Sequence, residues 1–171
     1  MTRFRLAMLH VGGLGHAPIA SGTFGSLPPV VLVILLVQLG QPHWLINLCL
    51  ILLGIAFSIA CVRFGALAEA TWGRKDPGQV VADEVAGQCV ALFALPWMAP
   101  DAEGALGWNL ILAIGAFLAF RFFDILKPPP ARNLEKLQGG LGILVDDLIT
   151  GAMALVVMQI LARGLLPLWW A

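Results

Sequence analysis

Apolar residues gather into five stretches parted by polar, glycine-rich or proline-rich joints: Leu27–Leu39, Leu45–Val62, Val85–Met98, Asn109–Phe123 and Leu148–Leu166. A helix crosses a bilayer core with about 20 consecutive apolar residues, range ~17–25. The second and fifth stretches meet that length. The first, third and fourth are short, and need flanking residues, bilayer thinning or burial among neighbours to complete a crossing. The pattern predicts five membrane spans, with four as the alternative.

Composition narrows the class. Of 171 residues, 60% are apolar and 12% charged, where a soluble domain carries ~45–50% and ~25%; the mean hydropathy is +0.91. Such a chain is not a disordered tail, a basic nucleic-acid-binding module or a disulfide-rich secreted scaffold. It reads as a small integral membrane protein with one domain over residues 1–171. Ten Lys and Arg balance ten Asp and Glu, so net charge points to no partner. Cys49, Cys61 and Cys89 lie in apolar stretches without metal-ligand spacing and read as buried free thiols. Arg3 and Arg5 open the chain, but no apolar signal region follows, so an uncleaved, cytoplasmic N-terminus is expected.

The placement of charge says more than its sum. With five spans and an inner N-terminus, segments 1–26, 63–84 and 121–147 are cytoplasmic. They hold Arg3, Arg5, Arg63, Arg74, Lys75, Arg121, Lys127, Arg132 and Lys136, nine of the ten basic residues, and leave Arg163 towards the other side. This is the positive-inside pattern. Trp44, Trp97, Trp108, Trp169 and Trp170 fall at the outer ends and Trp72 at the inner one, which predicts a belt of indoles at the outer headgroups. Eight of the ten acids share the basic side: Glu69, Asp76, Asp83, Glu84, Asp124, Glu135, Asp146 and Asp147.

Asp83-Glu84 immediately precedes the third span and Asp146-Asp147 the fifth. Arg121, Asp124 and Lys127 recur at a three-residue spacing at the inner end of the fourth, so they share a helix face. Carboxylates brought to one depth repel one another unless positive charge lies among them. A hard divalent cation held through oxygens, Mg²⁺ above all, is one answer. A salt-bridge network built by Arg121 and Lys127 is the other. Ionisable residues at membrane depth default to function, which favours the metal.

The segment Gly12–Ser26 is rich in glycine and carries the hydroxyls of Thr23 and Ser26. Ser26 is predicted to cap a helix with Pro28 in its first turn, and an exposed helix N-terminus binds anions. A plain connector is the alternative. No Gly-Lys-Ser/Thr follows at nucleotide-loop spacing. His10, His16 and His43 show no metal-pair spacing, and only His16, inside the glycine segment, is a minor candidate. Pro128, Pro129 and Pro130 end the fourth helix, and Gly139, Gly140 and Gly142 permit a turn that delivers Asp146 and Asp147.

Three blocks of residues make the chain resemble the phosphatidylglycerophosphatase A family of bacterial membrane lipid phosphatases. The first is Gly13-Leu14-Gly15 with Ala17-Pro18 and Gly22-Thr23-x-Gly25-Ser26. The second is Asp76-x-Gly78-x-Val80-Val81-x-Asp83-Glu84-x-x-Gly87. The third is Phe120-Arg121-x-x-Asp124-x-x-Lys127-Pro128-x-Pro130, leading to Gly139-Gly140-x-Gly142-Ile143-x-x-Asp146-Asp147-x-x-x-Gly151. They run in family order over residues 13–151. Ser21 stands where the family often has Pro, and Thr150 where Ala is common.

The resemblance implies an all-α, polytopic membrane bundle of four to five transmembrane helices with a buried central helix. It further implies a Mg²⁺-dependent phosphatase converting phosphatidylglycerol phosphate to phosphatidylglycerol at the cytoplasmic face of the bacterial inner membrane. Its partners are then the phospholipid substrate and the surrounding membrane lipids. On this reading Asp83, Glu84, Asp124, Asp146 and Asp147 are the metal ligands and catalytic acids. Thr23, Ser26, Arg121 and Lys127 hold the phosphate. A metal-activated water and a covalent Asp nucleophile both fit these residues. A small cation-binding transporter or channel is the alternative function, although its acids would be expected near the bilayer midplane.

Overall fold

The computed structural model describes residues 2–129, 131 and 139–170, apart from the side chains of Trp169 and Trp170. Pro130, Arg132, Glu135, Lys136 and those two indoles therefore lie outside the described residues. What is described is all-helical. α1 is Thr2–Leu9, followed by a 3-10 turn, Val11–His16; α2 is Ser21–Gln38 and α3 His43–Trp72. α4 is Ala82–Leu92, α5 Ala105–Leu126 and α6 Gly140–Ile160, which a π turn extends through Leu165.

Among the described residues four helices are long and apolar enough to cross a membrane: α2, α3, α5 and α6 with its extension. The short first stretch reaches 18 residues because α2 begins at Ser21 and runs through Pro28 and Pro29. Proline is tolerated in membrane helices where neighbours satisfy the freed backbone groups. Ser26 consequently caps nothing. It is fully buried inside α2, and its Oγ donates to Gly22 O at 2.8 Å.

The third stretch differs from the predicted span. α4 has 11 residues, a rise of about 16 Å against a hydrocarbon core of ~30 Å. It packs against α2, α3, α5 and α6, and nine of its residues are buried. Beyond Leu92 the chain unwinds, with Ala94 at φ 54°, and continues without helix until α5. Unwound backbone at membrane depth persists only inside protein with its polar groups satisfied.

Polar side chains on three helices do that. Asn47 Oδ1 accepts from Ala94 N at 3.0 Å, and Gln159 Nε2 donates to the carbonyls of Phe93 and Ala94 at 3.2 and 3.0 Å. Trp108 Nε1 donates to Pro96 O and His43 Nε2 to Trp97 O, each at 2.8 Å. Asn109 bonds both the N–H and the C=O of Met98. α4 thus starts beside the first turn of α2, where Gly22 meets Glu84, and its continuation ends beside the first turns of α3 and α5. The chain passes through the bundle five times, four times as a long helix and once as a buried short helix with unwound chain.

The indole belt is corrected by the same construction. Trp97 and Trp108 are 4% and 6% exposed, packed into the main apolar core where they close the end opposite the acids. Of the described indoles at that end, Trp44 alone is exposed.

Candidate functional site

α4 begins at Ala82, so Asp83 and Glu84 stand in its first turn, where the helix dipole favours negative groups. The second pair is placed differently from the sequence expectation. α6 begins at Gly140, so Asp146 and Asp147 lie two turns inside the helix, buried against its neighbours rather than delivered by a glycine turn.

Close backbone approach brings the two pairs together. A Cβ on Gly87 would stand 2.6 Å from Asp147 O and 2.6 Å from the Phe120 ring, and one on Gly151 would strike Gly87 O. Only hydrogen at both positions lets α4 and α6 cross this tightly. As a result Asp83, Glu84 and Asp147 each offer a carboxylate oxygen, all within 4.8 Å of one another. Asp83 Oδ1, Glu84 Oε2 and Asp147 Oδ2 are buried with no hydrogen-bond partner. Buried carboxylate oxygens left in this state are costly and call for an explanation. An oxygen-only, anionic donor set of this kind fits a hard divalent cation.

The other two predicted ligands each meet a cation of the chain, while Asp124 also lies against Asp147 and Asp146 Oδ1 is buried without a partner. Asp124 Oδ2 pairs with Arg121 Nη1 at 2.8 Å, one helical turn away, and Asp146 Oδ2 with Lys127 Nζ at 2.6 Å. The acids therefore divide: carboxylate oxygens of Asp83, Glu84 and Asp147 converge, while Asp124 and Asp146 form salt bridges. Arg121 also reaches Ser26 Oγ at 3.5 Å, while its Nε is buried without a partner. Gly22 makes room for this contact, since a Cβ there would meet the Glu84 carboxylate and stand 2.9 Å from Arg121 Nη1. Thr23, the next residue, is half-buried in the same first turn of α2. Of the predicted phosphate ligands, Arg121 meets Glu84 around Gly22, Ser26 bonds Gly22 O and reaches Arg121, and Lys127 is joined to Asp146, the neighbour of Asp147.

His16 lies beside His10, ring centroids 4.6 Å apart and planes tilted by 50°, and meets Trp72 edge-on. Burial, with His16 facing it, lowers the pKa of His10. Ser21 Oγ donates to Gly78 O at 2.6 Å, tying the start of α2 to the approach to α4, and Thr150 Oγ1 donates to Asp147 O at 3.1 Å. Proline and alanine could make neither bond.

Gln88 was not singled out by the sequence. It is fully buried one turn beyond Glu84 on α4, and both of its amide atoms lack partners. The available signal was an amide four residues after an acid, inside an apolar run. Gln88 and Arg121 Nε are thus two further buried polar groups without a partner, one a turn beyond Glu84 and one on α5. The arrangement suits an oxyanion: three carboxylates for a cation, and a guanidinium beside them for the anion.

The model of the family described as phosphatidylglycerophosphatase A matches residues 7–162. A Haemophilus influenzae protein named phosphatidylglycerophosphatase A is 40% identical over 154 residues, covering 88% of this chain and 85% of the relative. An Escherichia coli K12 protein of the same name is 32% identical over 149 residues, 86% of this chain and 77% of the relative. A Bacteroides thetaiotaomicron protein named putative phosphatidylinositol-3-phosphatase is 32% identical over 152 residues, 86% of this chain and 87% of the relative. No solved structure matches the chain.

Proposed function

The chain belongs to the phosphatidylglycerophosphatase A family, and we propose that it hydrolyses phosphatidylglycerol phosphate to phosphatidylglycerol and phosphate, with Mg²⁺, at the cytoplasmic face of a bacterial inner membrane. The observation that carries this reading is the convergence of Asp83, Glu84 and Asp147 beside Arg121, with one oxygen of each acid unsatisfied. Asp83, Glu84 and Asp147 would hold the ion. Bound there, Mg²⁺ supplies positive charge to the phosphate oxygens and lowers the pKa of a water.

The chain's own residues do the rest. Arg121 binds phosphate oxygens through donors that Asp124 leaves free, and the 2.8 Å pair with Asp124 fixes the guanidinium plane. Ser26 holds the same guanidinium from the α2 side. Lys127, anchored on Asp146, adds a second positive charge next to Asp147. Water adds to phosphorus and gives up one proton, the bond to the glycerol oxygen breaks, and that oxygen takes up one proton as phosphatidylglycerol forms, so that one water is consumed for each phosphate released. Asp124 and Asp146 thus act here as partners of the two cations.

The Bacteroides relative's name favours a second substrate reading, in which the same site takes an inositol lipid phosphomonoester. Phosphate release by the purified protein in detergent micelles, from each lipid in turn, tests both. Release from phosphatidylglycerol phosphate with Mg²⁺, and none in excess chelator, is the expected result. No release from either lipid would sink the phosphatase reading and return the acids to cation transport.

A further inference from the structure

Along the outside of α4 runs an apolar groove of about 320 Å³, framed by α3 and α6. Its end nearest the acids is made by Ser58, Ala86 and Leu148, and its far end by Leu50, Phe93 and Leu155. Eight helical steps from Leu50 to Ser58 give it a length of about 12 Å. Small residues create it: Gly54 and Ala86 lie where two larger side chains would otherwise fill the space between α3 and α4. Large aliphatic residues, Ile51 and Ile55, form its exposed rim.

We propose that this groove seats one acyl chain of the lipid whose phosphate the acids and Arg121 engage, an inference that rests on the lipid-phosphatase reading above. Two features point to an amphiphile and not to a neighbouring helix. Leu148 follows Asp147 directly and Ala86 lies one turn beyond Asp83, so the inner end of the trough is within a residue or one turn of two of the carboxylates. Head and tail of one molecule meet complementary demands: an anionic head answers Arg121 Nε and the ion that the acids would hold, and a hydrocarbon tail fills the groove. A packed helix would fill the groove and leave the polar atoms orphaned. The trough is also within the volume range of small-molecule sites, roughly 300–1,000 Å³.

The test reads chain-length preference. A Cβ on Gly54 would make ordinary contact, 3.4 Å from Cys89 Cβ, so Gly54→Leu fills the groove without a backbone clash. Ser58→Phe at the mouth serves as a second variant. In mixed micelles, the ratio of kcat/KM for a long-chain phosphatidylglycerol phosphate to that for its short-chain analogue should fall about tenfold in both, the loss of roughly two buried methylenes. An unchanged ratio in folded variants would overturn the proposal. Photolabelling of the wild-type protein with the same lipid carrying a diazirine in its acyl chain reads the groove without turnover. Label on Leu50–Ser58 and Ala86–Phe93, displaced by excess unlabelled lipid, is expected. Label spread over Ile59, Leu118 and Val156 and resistant to competition would also overturn it. Failure of the wild-type protein to hydrolyse either lipid would sink the phosphatase reading, while the photolabelling would still decide the groove.

Discussion

Asn109 holds Met98 from both sides: its Oδ1 accepts from the Met98 amide and its Nδ2 donates to the Met98 carbonyl, each at 2.9 Å. One side chain thereby replaces two of the backbone bonds lost where the chain leaves α4. Asn109→Leu removes both partners and leaves two buried backbone groups unsatisfied, at about 1–3 kcal/mol each. Thermal unfolding in detergent should show a clearly lower midpoint. Turnover well below that midpoint should persist, because Asn109 lies at the end of the bundle opposite the acids. An unchanged midpoint would mean that the unwound segment is held without it.

The three convergent acids make a metal prediction. Chelation should abolish turnover and added Mg²⁺ restore it. Asp83→Asn and Asp147→Asn should each lose most activity while still inserting and eluting normally, because the amide keeps the shape and drops the charge. Full activity in excess chelator would remove the metal and leave the acids a purely structural role.

These acids were legible in the sequence because charged residues stand out in an apolar chain and their spacing matched a family pattern. How they divide was not legible. Which acids converge and which pair depends on the crossing of α4 and α6 at Gly87 and Gly151, a contact between residues 64 positions apart. The third stretch misled for a simpler reason. Burial in protein and burial in lipid select the same residues, so Val85–Met98 reads as a span although only part of it is helical. His43, Asn47, Asn109 and Gln159 carried the missing signal. Asn47, Asn109 and Gln159 are lone polar residues within the apolar stretches and His43 stands in the joint before the second, and their common partner emerges only once the chain folds back between them. Trp97 and Trp108 stand at the expected end but are buried in the core, because an indole suits a headgroup belt and a buried plug equally well.

The Lys127–Asp146 pair predicts a rescue. The Asp146 side chain is 4% exposed and that of Lys127 25%. Removing one partner of a buried pair costs about 3–5 kcal/mol, since the other charge is stranded. Lys127→Ala should therefore be strongly destabilised. The double variant Lys127→Ala, Asp146→Asn should recover most of the stability but not the activity, measured as melting midpoint and turnover side by side. Recovery of both would reduce the pair to a structural brace.

The charge pattern makes a sidedness prediction that labelling tests. In a chain with Cys49, Cys61 and Cys89 replaced, a cysteine at Gln79, beside the acids, should react only with a reagent that reaches the cytoplasm. One at Glu103, in the connection before α5, should react from outside. Reaction at position 79 with an impermeant external reagent would invert the molecule and move the site to the other face.

Arg121 separates phosphate binding from simple anchoring. A cation at a helix end can snorkel to the interface, and in that role Lys substitutes well. The observed Arg121 does more: it pairs with Asp124 at 2.8 Å, reaches Ser26 Oγ at 3.5 Å and leaves Nε buried without a partner. Lysine keeps the charge but loses the planar fork that meets two oxygens at once. If that fork grips the phosphate as charge develops, Arg121→Lys should cost about 2–4 kcal/mol, by analogy with the loss of an oxyanion donor. The corresponding loss in rate is roughly thirty- to thousandfold. The measurement is kcat at saturating lipid and Mg²⁺, with folding checked by gel filtration in detergent. A large fall in kcat with unchanged elution places the end of α5 in the chemistry. Near-wild-type kcat would take Arg121 out of the site and leave Lys127 as the cation that meets the phosphate.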